Sequence, residues 1–136
     1  MRHAFCRQIA SVLSTDKSCA FNGNHQFITM HDKQKNRVLE ILAYGRAIEN
    51  LNLKSMLLKD SHAASLSKII SLNRNMTSVL LDGNQLSEPA MFVLAEAIQG
   101  HPTLREFTVS EQKLPLSLSA IKRLIEAMEK TPNLLR

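Results

Sequence analysis

A repeat of 28 residues constrains this chain more than any other feature of its sequence. The segment Met76-Thr-Ser-Val79-Leu-Leu81-Asp-Gly-Asn84-Gln-Leu86 carries apolar residues at its positions 1, 4, 6 and 11 and an asparagine at position 9. Twenty-eight residues on, the same frame holds Leu104, Phe107, Val109, Gln112 and Leu114; twenty-eight residues back, it holds Ile48, Leu51, Leu53, Met56 and Leu58. All twelve of positions 1, 4, 6 and 11 are apolar in a chain that is 44% apolar overall. Self-similarity at a fixed period of this size marks an array of stacked units.

The segments between these frames repeat as well. Ala90, Val93, Leu94, Ala97 and Ile98 follow helical spacing, with Ser87 as N-cap, Pro89 in the first turn and Gly100 just past the end. One unit earlier the same run offers Leu66, Ile69 and Ile70. One unit later, displaced by 30 residues, it offers Ala120, Ile121, Leu124, Ala127 and Met128. The extra two residues are assigned to the loop Leu114–Ser119, and a further helix is expected around Val38, Ile41 and Leu42. A strand followed by a helix and then another strand requires a parallel sheet with right-handed crossovers. Strands repeat at about 4.8 Å and packed helices at about 8–10 Å, so the array must curve with strands inside.

The pattern LxxLxLxxNxL followed by a helix resembles the leucine-rich-repeat family, and specifically its ribonuclease-inhibitor-like class, which includes tropomodulins, NOD-like receptors and many bacterial effectors. Runs such as LAEAIQGHPTL are similar to the arrays of effectors secreted by intracellular bacteria. The resemblance implies an α/β fold, a short leucine-rich-repeat solenoid with parallel strands on the concave face and helices on the convex face. Residues 33–136 are expected to form about three full repeats preceded by a half repeat. Residues 1–32 are expected to form an N-terminal cap, with a helix whose apolar face is Ala4, Phe5, Ile9, Val12 and Leu13. A turn-rich stretch over 14–24 and an edge strand over His25–Met30 complete that cap. The family's position-9 asparagine is present only as Asn84, with Met56 and Gln112 elsewhere, which puts a continuous asparagine ladder in doubt.

Charge and cysteine content narrow the function. Net charge is +5, and it is uneven: residues 1–75 carry 11 Lys/Arg against 5 Asp/Glu, and residues 76–136 carry 6 against 7. The basic residues are scattered and lack interleaved aromatics, which reads as a solvated face; binding of nucleic acid or anionic membrane through it is the alternative. Two cysteines, Cys6 and Cys19, are too few for a disulfide framework and suit a reducing compartment. The expected location is cytoplasmic, or host cytosol for a secreted effector.

Three clusters carry chemically active residue types. His3, Cys6, Cys19, His25 and His31 suit zinc by type, but their spacing matches no tight zinc pattern, and no metal or cofactor is expected. Asp60-Ser61-His62 contains triad residue types, but adjacency is the wrong geometry for a triad, and Asp60 or Ser61 is read as a helix cap. No GxGxxG, P-loop or HExxH occurs. The chain is therefore read as a non-enzymatic module that binds a partner protein, as an effector or adaptor.

Strand side chains alternate, so positions 3, 5 and 7 face away from the core. The partner-binding columns expected on the concave face are Asn50, Ser78 and Glu106; Asn52, Leu80 and Thr108; and Lys54, Asp82 and Ser110. Leu80 is the apolar exception in the middle of the middle strand. The expected partner is a protein, with neither nucleic acid nor membrane in the leading reading. An open C-terminal end offers a route to homo-oligomers.

Overall fold

The structure is a computed structural model and describes residues 9–10, 19–45 and 48–134. Its order is β1 (Cys19–Asn22), α1 (His25–Ile28), α2 (Asp32–Ala43), β2 (Ile48–Asn52), a 3-10 turn (Asp60–His62), α3 (Ala63–Leu72), β3 (Ser78–Leu80), α4 (Glu88–Ile98), β4 (Glu106–Thr108) and α5 (Leu118–Glu129). The four strands form one parallel sheet in sequence order. The register is that of the 28-residue period: Leu51 pairs with Val79 and Val79 with Phe107. Helices α2 to α5 pack each on the next. The molecule is thus an α/β solenoid of the leucine-rich-repeat type, with a sheet layer and a helix layer around one core.

That core is the set of repeat positions. Ile48, Leu51, Leu53, Leu58, Met76, Val79, Leu81, Leu86, Leu104 and Phe107 are all buried, and the helices add Leu66, Ile69, Ile70, Leu94 and Ile98. The last unit departs from the expectation. Val109 is only partly buried and Leu114 is 65% exposed, because none of the described residues packs beyond them. Leu116 lies against the core and takes the place of Leu86, so the two extra residues fall just before it. Val93 and Ile121, placed in the apolar helical runs, lie at the surface at 37% and 40% exposure, while Met91 and Ala95, outside that spacing, are buried.

The N-terminal edge corrects the sequence reading. The edge strand is Cys19–Asn22, inside the stretch read as turns, and His25–Ile28 is a single helical turn rather than a strand. The Asn24 side chain accepts a hydrogen bond from the Phe27 backbone N–H at 3.0 Å, which starts that turn. Phe21 pairs with Leu51 and is the one apolar position-4 residue of the strand. Gly23 stands where the next units have Leu53 and Leu81. A Cβ on it would sit 2.5 Å from the Met56 sulfur, so the Met56 side chain fills the gap that the glycine leaves. Of the helix expected near the N-terminus, only Ile9 and Ala10 lie within the described residues.

Three polar ladders join consecutive units. In the turns after the strands, Asn84 accepts from the N–H groups of Met56 (2.9 Å) and Leu58 (3.0 Å) and donates to the carbonyls of Leu53 and Leu81. Gln112 repeats the arrangement with one more methylene, accepting from Leu86 N–H and donating to Leu81 and Val109 carbonyls. The asparagine ladder doubted from sequence therefore continues through glutamine and stops only at Met56. At the helix N-termini, Asp60 accepts from the backbone N–H and hydroxyl of Ser87, and Glu88 accepts from the hydroxyl of Ser117. Asp60 thus anchors the cap residue of the following helix rather than capping its own. At the helix C-termini stand the buried Asn73, His101 and Thr131. Asn73 accepts from Ile48 N–H, and Thr131 donates to the carbonyls of Ile98 and Ala127.

The residue before each ladder position has a left-handed backbone: Ser55, Gly83 and Glu111 have φ of 54°, 73° and 56°. Only the middle unit has the glycine that this conformation favours.

Two predictions follow from the ladders. Asn84 is 1% exposed, and its replacement by alanine leaves the N–H groups of Met56 and Leu58 and the Leu53 carbonyl without its amide, while the Leu81 carbonyl keeps the Gln112 side chain. The Asn84→Ala variant should lose about 3 kcal/mol of stability in urea denaturation, and Gln112→Ala, at a half-buried position, clearly less. The second concerns acid. His62 Nδ1 accepts from Lys59 N–H, and His101 Nδ1 accepts from the N–H groups of Thr103 and Leu104. Each Nε2 faces a backbone carbonyl, of Asp32 and Asn73 respectively, so the network assigns a neutral ring protonated at Nε2. Burial holds both histidines below their ordinary value of 6.5, against the opposing pull of those carbonyls. The unfolded chain therefore takes up protons from about pH 6.5 downward while the folded one resists. The stability the neutral rings contribute is complete above that pH and declines below it. The urea midpoint should fall between pH 7.5 and 5.5, ahead of carboxylate titration.

Candidate functional site

The sheet register brings the expected columns together. Asn50 pairs with Ser78 and Ser78 with Glu106; Asn52 pairs with Leu80 and Leu80 with Thr108. The third column follows from backbone hydrogen bonds just past the strands, Ser55 N–H to Asp82 carbonyl and Gly83 N–H to Ser110 carbonyl. None of the nine residues is buried: Asn50, Lys54 and Ser110 are exposed, and the other six are half-buried. Leu80 sits half-buried between Asn52 and Thr108, an apolar spot framed by polar side chains.

These polar groups are ordered before any partner arrives. Asp82 is the hub of the third column. Its carboxylate accepts from the Thr108 hydroxyl at 2.9 Å and from the Ser110 N–H and hydroxyl at 2.6 and 2.8 Å, and lies 3.9 Å from the Lys54 ammonium. The Ser78 hydroxyl donates to Glu106, and Asn52 accepts from Lys54 N–H. Both Asp82 oxygens are engaged, so Asp82 shapes the surface, while Asn50, Lys54 and the outer edge of Leu80 are the groups left to meet a partner. Ordering in advance lowers the conformational entropy that binding must overcome.

The other clusters do different things. His62 is fully buried and contacts Lys59 and the Asp32 carbonyl, while Asp60 is turned to Ser87, so the two do not converge with Ser61. His3 and Cys6 lie outside the described residues, and among the described residues no group of three His, Cys, Asp or Glu side chains is placed to hold a metal ion. The basic half is partly occupied internally. Lys35 is 2% exposed, donates to the Met56 carbonyl at 2.8 Å and lies over the Phe27 ring; burial pushes its ammonium below the usual lysine range. Lys59 pairs with Asp32 at 3.0 Å and holds that carboxyl below its usual range.

Sequence reasoning marked the far end of the array as open but missed the surface it presents. An open groove of about 300 Å³ runs along the loop from Val109 to Leu116, and beside it α5 exposes Leu118, Ile121 and Ile125. The signal was present: the last helix is apolar on two faces, and its preceding loop is two residues longer.

No family model matches the sequence, and neither does any curated protein. Solved structures do match in shape. A structure of leiomodin-1 actin-binding site 2 superposes with a TM-score of 0.83 at 18% identity, over 96% of this chain and 76% of that one. The tropomodulin C-terminal domain of Caenorhabditis elegans gives 0.79 at 19% identity, over 96% and 78%. Likeness at this identity carries the fold.

Proposed function

We propose that this chain is a non-catalytic protein-interaction module whose partner seats on the concave sheet face and the adjacent loops. The observation that supports this best is the face itself: three in-register columns of small polar side chains, locked by the Asp82 network, around one apolar point at Leu80. A rigid polar surface with a central apolar anchor is the anatomy of a specific interface. Leiomodin-1 uses a domain of this shape as an actin-binding site, which makes actin the first partner to test. The face is four strands wide, about 15 Å at strand spacing, and a standard interface needs about 800 Å² per partner. The partner therefore also touches the loops after the strands. An adaptor or effector role in the cytosol fits such a module. Binding of nucleic acid or anionic membrane is the weaker reading, since Lys35 and Lys59 are engaged internally.

The test is affinity measurement with actin, and with any partner captured from cell extract and identified by mass spectrometry. Leu80→Arg should weaken binding at least tenfold, about 1.4 kcal/mol, with Asn50→Arg acting in the same direction and both variants retaining the wild-type urea midpoint. A partner bound equally well by wild type and both variants would remove the concave-face assignment. Binding to generic DNA or anionic vesicles that falls steeply with salt would favour the weaker reading instead.

A further inference from the structure

The chain contains one Asn-Gly pair, Asn22-Gly23, and it falls where β1 ends. Phe21 is buried and Asn22 is exposed, as alternation along a strand requires. Asn22 pairs with Asn52, so the middle concave column starts one unit earlier than the sequence suggested. It reads Asn22, Asn52, Leu80 and Thr108.

Asparagine followed by glycine is open to attack by its own backbone. The Gly23 amide nitrogen, on losing its proton, can form a bond to the Asn22 side-chain carbon Cγ. The bond from Cγ to the side-chain nitrogen then breaks, and that nitrogen takes up a proton and leaves as ammonia. Glycine has no Cβ to crowd the cyclic imide that results. Water opens the imide at either carbonyl, giving aspartate or isoaspartate at residue 22. In the isoaspartate product the main chain is longer by one methylene.

The folded chain holds this reaction back in two ways. The Gly23 N–H donates to the Asn52 carbonyl at 2.9 Å, so its nitrogen is occupied in the sheet. On a strand the side chain stands perpendicular to the sheet, while the following N–H lies in the sheet plane, so nitrogen and Cγ do not meet. Nor can the backbone shift locally. The Met56 side chain fills the space over Gly23, with its sulfur 2.5 Å from where a Cβ would stand. The end of β1 must therefore lift away from β2 before Asn22 can react. Among the described residues β1 has one neighbouring strand, where β2 and β3 each have two. The similar pair Asp82-Gly83 is held more firmly. Its carboxylate accepts from Thr108 and Ser110, and its glycine N–H donates to the Ser110 carbonyl.

We propose that Asn22 is a deamidation site whose rate is set by the opening of β1 from β2. The inference does not rest on the function proposed above, although its product lies on the same face. Reaction places a carboxylate at the head of the middle column, about 4.8 Å from Asn52 at strand spacing. In the isoaspartate form the added methylene moves the Gly23 N–H out of line with the Asn52 carbonyl.

The test sets the full chain beside a peptide of residues 20–26 in the same mildly alkaline buffer. Deamidation at residue 22 is followed by peptide mapping with mass spectrometry and by isoaspartate-specific enzymatic methylation. Hydrogen exchange of the Gly23 amide, read by NMR on the same chain, gives the fraction of time that β1 is open. The peptide should deamidate readily and the chain at least about tenfold more slowly. The ratio of the two rates should match the Gly23 protection factor. Met56→Ala leaves the residues around Asn22 unchanged and removes the side chain over Gly23. It should speed deamidation in proportion to the protection lost; rate and protection are read in the same variant, so the comparison holds even if its urea midpoint falls. Equal rates in chain and peptide, or a chain rate that does not follow Gly23 protection, would overturn the proposal. So would an Asn22 that stays intact in the peptide.

Discussion

Each turn of this coil leaves backbone groups that only a side chain of the next turn can satisfy, and Asn84 shows how the constraint is met. Its amide sits between two units, accepts from two N–H groups of the unit before it and donates to a carbonyl of each. Unpaired, these groups would each oppose burial. Paired, they allow the tight left-handed turn at Ser55, Gly83 and Glu111 to lie inside the molecule. The strands before the turn are then held in parallel register, and the helices after it begin at equivalent places. The inter-unit bonds at Asp60–Ser87, Glu88–Ser117 and His101–Asn73 repeat the logic at the two ends of the helices.

The candidate site is a by-product of that register. Columns of side chains align across a parallel sheet only when the units share a period, and the 28-residue spacing places Asn52 beside Leu80 and Leu80 beside Thr108 without further instruction. What the individual residues add is order: Asp82 collects its neighbours' hydroxyls and fixes the surface against which Leu80 is displayed. The same stacking rule makes the ends special. At the N-terminal edge, Gly23 gives up its core side chain and Met56 fills the space. At the other end, α5 keeps the apolar face that every preceding helix hides.

The fold was legible in the sequence because its signal is periodic. Twelve apolar residues in register define strands, core and curvature together, and the nine concave positions follow from alternation alone. Legibility failed where the period is broken. The edge strand Cys19–Asn22 carries Phe21 in the core, with a glycine at the next core position, so the alternation that marks a strand breaks off there. The insertion before Leu116 shifted a buried position by two, and Leu114 was read as core in its place. Gln112 looked like a gap in the ladder because residue type, not reach, was compared. The partitioning of the apolar residues of α4 and α5 between buried and exposed positions was hidden for a different reason: it depends on which neighbour packs against each helix.

The claim on which everything rests is that units 28 residues apart lie side by side as parallel strands. Interstrand nuclear Overhauser contacts of the backbone test it most directly in solution. The account predicts contacts linking Leu51 to Val79 and Val79 to Phe107, with the parallel pattern on both sides of β3. Contacts in an antiparallel pattern, or a register in which Leu51 and Phe107 are direct neighbours, would contradict it.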